Sequence, residues 1–122
     1  MRRISLAMTI TALACATLPS VAFAHAKLEA ATPPIGGTVK DAPALLDLKF
    51  NEELNLKFTG VKVTGPDKKA IKTDDAMLMD GDKEFMVSLP AGLGSGTYRV
   101  EWHALSRDGH KVRGEYQFTV KP

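Results

Sequence analysis

The feature that most limits what this chain can fold into is a two-residue alternation of apolar and polar side chains, renewed after each turn signal. Tyr98, Val100, Trp102 and Ala104 share one face of a strand, and Arg99, Glu101 and His103 share the other. Val112, Tyr116, Phe118 and Val120 repeat the pattern in the last strand, as do Leu46, Leu48 and Phe50 in an early one. Further strands are predicted at 26–31, 60–64 and 84–89, with a weaker one within 70–79. Between them stand breaker clusters: Thr32-Pro33-Pro34, Ile35-Gly36-Gly37-Thr38, Gly65-Pro66-Asp67, Asp80-Gly81-Asp82 and the glycine-rich run from Pro90 to Gly96. Residues 52–58 would pass for one helical turn but read better as a loop. About seven short strands without a convincing helix predict an all-β domain, a sandwich or a small barrel. In such a fold the first strand is expected beside a late one, so that distant parts of the chain meet.

The N-terminus follows a different rule. Arg2 and Arg3 precede an apolar run from Ile4 to Leu18, and Ala22-Phe23-Ala24 supplies a small-x-small cleavage site. These features together predict a secretory signal peptide over residues 1–24 and a mature domain over 25–122. The run is too short and too rich in threonine for a membrane span. Lipidation at Cys15 is the competing reading, disfavoured by a very short apolar run and by Ala12 where a bulky aliphatic is usual. Cleavage removes Arg2 and Arg3 and no acid, leaving 14 basic against 14 acidic residues. A neutral domain gives no reason to expect nucleic acid or an anionic membrane as partner. The one cysteine also leaves, so the mature domain has no disulfide and its core must hold it.

Cleavage after Ala24 would change the chemistry of His25. Its α-amine becomes free beside its own imidazole, and the amine and Nδ1 can close a six-membered chelate on one metal ion. The turn Ser106-Arg107-Asp108-Gly109-His110-Lys111 joins the two firmest strands. Asp108 and His110 sit two apart, on one side of an extended backbone, and Gly109 lets the chain bend between them. Two nitrogens from His25, one from His110 and a carboxylate oxygen from Asp108 suit the tetragonal preference of Cu(II). Zn(II) prefers a tetrahedron and often a thiolate, which the mature chain lacks. Ca or Mg would ask for more oxygens than Asp108 provides. The plainer reading of Asp108-Gly109-His110 is an ordinary turn with a surface histidine. The coincidence with a histidine at the mature N-terminus outweighs it.

Other residues carry weaker signals. His103, on the strand face opposite Trp102, reads as a solvated histidine before a spare ligand. Met77 and Met79 share a face and Met86 can lie across from one of them. Thioethers select Cu(I), but methionine also fills cores. Glu52 and Glu53, at a strand end, are either a solvated turn or a group near the metal. Ser106 near His110 shows no sign of activation, and there is no phosphate-cradling glycine loop.

Taken together, His25-Ala26-Lys27-Leu28, Ala31-Thr32-Pro33-Pro34 with Gly36 and Gly37, Leu48-Lys49-Phe50-Asn51-Glu52, the block from Gly96 to Trp102, Ser106-Arg107-Asp108-Gly109-His110 and the block from Gly114 to Val120 resemble the CopC copper-resistance family of bacterial periplasmic proteins. The resemblance implies an immunoglobulin-like Greek-key β-sandwich or barrel that binds Cu(II) through His25, Asp108 and His110, with a family glutamate near the metal falling at Glu52. It implies a periplasmic copper carrier or buffer, not an enzyme, with an inner-membrane CopD-like copper protein as a partner in some members. Some members carry a Cu(I) site in a methionine- and histidine-rich loop after the third strand, but residues 64–69 here contain neither residue. The rival class is an enzyme, because an N-terminal histidine chelate also resembles the histidine brace of lytic polysaccharide monooxygenases. Asp108 argues against it, since a carboxylate in the copper plane fills the position an oxidant needs.

Overall fold

A computed structural model describes residues 26–122. The expected signal peptide at 1–24, Cys15 and His25 lie outside the described residues. The strands are β1 (Leu28–Thr32), β2 (Thr38–Val39), β3 (Leu45–Phe50), β4 (Gly60–Thr64), β5 (Ala70–Ile71), β6 (Asp74–Met79), β7 (Glu84–Ser88), β8 (Gly96–Leu105) and β9 (Lys111–Val120). Seven of these are five residues or longer and match the expected strands. β2 and β5 are two residues each, too short to show a period; β2 starts at the end of the expected turn 35–38, and β5 lies at the start of the weak stretch 70–79. The stretch 52–58 is mostly loop and ends in a 3-10 turn, Leu56–Phe58, whose Asn55 side chain accepts from the Lys57 N–H.

The strands form two separate sheets, in the orders β1-β3-β7-β6 and β2-β9-β8-β4-β5. The chain crosses repeatedly between them in Greek-key fashion, giving the sandwich form of an immunoglobulin-like fold. Alternation decides which faces meet. Leu46, Leu48, Phe50, Phe85 and Val87 from one sheet are buried against Val63, Tyr98, Val100, Ala104, Phe118 and Val120 from the other. Each of the larger side chains stabilises the fold by about 1.5–3 kcal/mol through removal from water. Tyr98 and Phe118 stack with centroids 5.1 Å apart, and the Tyr98 hydroxyl donates to the Gly94 carbonyl at 2.6 Å. Burial, and secondarily the charge of Asp67, raises the Tyr98 pKa.

Trp102 follows the inward register of β8 but is only half-buried. Its ring meets Phe50 edge-on at 5.2 Å and covers Gly114, where a Cβ would stand 2.5 Å from Cζ2. A glycine at 114 is therefore what lets the indole lie across β9. Two strands are irregular. The β1–β3 register slips between Leu28 and Ala30, and the β6–β7 register slips between Asp74 and Met77, where Asp75 has φ 48°.

One expectation is corrected. The early element that pairs with a late strand is β2, parallel to β9 through Thr38–Thr119 and Val39–Val120, and not the first strand. β1 pairs with β3 instead, Leu28 opposite Phe50 and Thr32 opposite Asp47. It meets β9 only across the open side of the sandwich, where Ala26, Lys27 and Leu28 line a cleft with Val112, Arg113, Gly114 and Trp102.

Candidate metal centre

The β8–β9 hairpin closes with Ser106, Arg107, Asp108, Gly109 and His110. Backbone bonds set its shape: the Ser106 N–H donates to the His110 carbonyl at 3.0 Å, and the Gly109 N–H donates to Ser106 at 3.0 Å. Gly109 has φ 93°, a conformation that side-chain-bearing residues rarely adopt, so the bend expected of it is present. The turn brings Asp108 and His110 together. Oδ2 of Asp108 lies 3.0 Å from Nδ1 of His110, and both side chains are about two-fifths exposed (44% and 38%). The Ser106 hydroxyl, buried beneath the turn, donates to Oδ1 of Asp108.

These contacts set the electrostatics. The Ser106 hydroxyl first, and the His110 ring and backbone N–H after it, hold the Asp108 carboxyl below its usual range. The carboxylate thus stays ionised in mildly acidic solution, as a metal ligand must. Among the described residues, no group of three or more His, Cys, Asp and Glu stands together as a metal site. An ion held at Asp108 and His110 would take its remaining donors from outside that set.

The segment following His25 is held firmly. The Lys27 N–H donates to Oδ1 of Asn51 at 2.6 Å, and the Asn51 N–H donates back to the Lys27 carbonyl at 3.2 Å. Ala26 is buried and shares its cleft with Val112, two residues past His110. The hairpin is fixed to the same end of the sandwich. The Arg107 N–H donates to the Glu53 carbonyl at 3.0 Å, and Leu54 bridges to Ser106. Arg107 reaches Glu53 at 3.3 Å and pairs with Asp82 on the β6–β7 turn. Asn51 and Arg107 were not singled out from the sequence. An Asn directly after a strand, and an Arg inside a turn facing an acidic loop, were the signals available.

The weaker candidates separate. Glu52 is half-buried in the loop after β3, while Glu53 is committed to Arg107. His103 lies on the outer face of its sheet with its ring over Gly60, where a Cβ would stand 2.9 Å from Cε1. Met77 does lie directly opposite Met86, and Met77 and Met79 are half exposed on the outer face of β6.

Comparison with known proteins agrees with this architecture. The CopC domain family matches residues 28–121. Protein YobA of Escherichia coli K12 is 42% identical over 120 residues, covering 98% of this chain and 94% of its own length. A copper resistance protein C of Escherichia coli is 37% identical over 107 residues, covering 82% and 84%. The crystal structure of CopC from Methylosinus trichosporium OB3b superposes with a TM-score of 0.72 at 29% identity, covering 80% of this chain and 95% of that one. No helix among the described residues is long and apolar enough to cross a membrane. With the family match spanning nearly the whole described domain, and relatives and a solved structure that share its sandwich, the chain belongs to the CopC family of copper-resistance proteins.

Proposed function

We propose that this protein is a periplasmic Cu(II) carrier or buffer, exported by its leader and cut after Ala24. Copper is its cargo, and it is a binding protein, not an enzyme. The ion is held by the amine and imidazole of His25 with Asp108 and His110, and Glu52, between Asn51 bound to Lys27 and Glu53 bound to Arg107, acts on the site from outside the ligand set. The observation that carries this reading is the junction of two anchored segments. Ala26 and Lys27 are pinned at Asn51 and beside Val112, and the Asp108–His110 turn stands at that end of the sandwich. The CopC membership supports copper as the ion, and the three-nitrogen, one-oxygen donor set supports the cupric state. A copper protein of the inner membrane, CopD-like, is the exchange partner that this reading favours.

The test is a Cu(II) titration of three forms: the mature protein, the same protein with one residue added before His25, and His110→Ala. Acylating the amine removes the chelate, so the extended form should lose most of its affinity, and His110→Ala should also weaken binding. Trp102 lines the Ala26 cleft and is the single tryptophan, so quenching of its fluorescence reads out loading. Equal affinity in the extended and mature forms would refute the assignment.

A further inference from the structure

A second groove lies behind the hairpin, on the outer face of the β9-β8-β4 sheet. Lys57, Phe58, His103, Lys111, Val112 and Arg113 line it around a cavity of about 410 Å³. Its charge is one-sided. Lys57, Lys111 and Arg113 bring three cations and no acid faces the groove. None of the three is ion-paired to a described residue, whereas Arg99 and Arg107 each hold two acids. Pairing explains the alignment: His103 sits opposite Arg113 and Leu105 opposite Lys111, so alternation turns both cations outward. One register further along, Glu101 and Glu115 belong to Arg99, and they bound the cationic zone.

The groove also has an apolar anchor. Phe58 is 49% exposed at the end of the 3-10 turn, with the Lys57 ammonium 5.6 Å from its ring centroid. An exposed aromatic ringed by unpaired cations matches the composition of a protein-binding surface, where an apolar centre is framed by polar groups. The mature chain is neutral overall, so this local field is not a by-product of a basic protein.

We propose that this groove docks an acidic, apolar-containing segment of a protein that exchanges copper with this one. An anionic bilayer would match the sign of the charge. However, a concave cleft with a single aromatic and a neutral protein behind it fits a peptide segment better than a flat lipid surface. The copper part of this statement rests on the function proposed above. Lys111 and Val112 follow His110 directly in the chain, so a docked segment lies next to the hairpin that carries two of the proposed ligands. The opposed charges speed encounter and fix orientation, which is what a protein handing over an ion needs.

The test uses metal-free mature protein, labelled with nitrogen-15, and a synthetic blocked peptide alternating Asp or Glu with Leu or Phe. Shifts should cluster at Phe58, Ala104 and Val112. Affinity should fall at least about tenfold on Lys57→Glu with Arg113→Glu, and should fall with added salt as exposed charges are screened. Phe58→Ser should weaken peptide binding and leave Cu(II) affinity unchanged. Shifts scattered over the surface, equal binding of a peptide with Lys in place of the acids, or insensitivity to the charge reversals would overturn the proposal. So would phosphatidylglycerol vesicles binding where the peptide does not. Peptide binding without copper binding would sink the copper assignment and keep the groove, and the reverse result would do the opposite. The wild-type shift map stands even where a variant folds poorly.

Discussion

Lys27 and Asn51 are bound to each other twice, the Lys27 N–H to the Asn51 side chain at 2.6 Å and the Asn51 N–H to the Lys27 carbonyl at 3.2 Å. The side-chain bond is the only one of the two that substitution can remove. It extends the β1–β3 pairing beyond Leu28 and fixes the direction in which the chain enters the sandwich. Asn51→Ala should therefore cost about 1 kcal/mol of stability in urea unfolding. It should weaken Cu(II) binding by more than that loss implies, because the proposed amine ligand is held less firmly. Unchanged copper affinity with reduced stability would show that the pin serves only the fold.

Ser106 governs the charge of Asp108. Its hydroxyl is the leading cause of the lowered Asp108 pKa, with His110 second. A depressed folded pKa means that the stabilising contribution is present above the unfolded value and is lost as pH falls through the folded one. Ser106→Ala should thus raise the Asp108 pKa toward the ordinary aspartate value, read by NMR titration of its carboxyl carbon. In the proposed site, therefore, Asp108 is not the group that sets the acid limit of copper binding. Affinity should fall steeply below about pH 6, where imidazoles take up protons. A Cu(II) affinity flat from pH 5 to pH 8 would contradict the histidine ligands.

Gly114 is the reason Trp102 can lie where it does. A methyl group there meets the indole at 2.5 Å from Cζ2 and 2.8 Å from Cε2. The ring must tilt away from Phe50 or β9 must bend. Gly114→Ala should cost about 1–3 kcal/mol, as overpacking does, and should red-shift the tryptophan emission as the indole meets more water. An unshifted spectrum with full stability would mean that the cleft gives way elsewhere.

The fold was readable because its information is local. Tyr98, Val100, Phe118 and Val120 declare their face by alternation alone, and Asp80-Gly81 marks the β6–β7 turn. What alternation lacks is partner choice. Nothing in residues 28–32 distinguishes pairing with β3 from pairing with β9, and two-residue strands such as Thr38–Val39 have no period. The candidate site divides the same way. Asp108 and His110 announce themselves through i, i+2 spacing around a glycine, and the structure brings them to 3.0 Å. The anchors that hold the turn and the incoming chain, Arg107 and Asn51, act across 25 and 24 residues of sequence, and an arginine in a turn or an asparagine after a strand does not name so distant a partner.

The irregularities of β1 and β6 have a consequence for life at high concentration. Each sheet ends in two boundary strands, and all four are poor templates. β2 and β5 offer two residues each, while β1 and β6 are interrupted by their register slips. A neighbouring molecule seeking to extend either sheet by hydrogen bonding finds no straight, unbroken ladder. A disulfide-free domain built almost wholly of β-structure is thereby guarded against growing into a fibre.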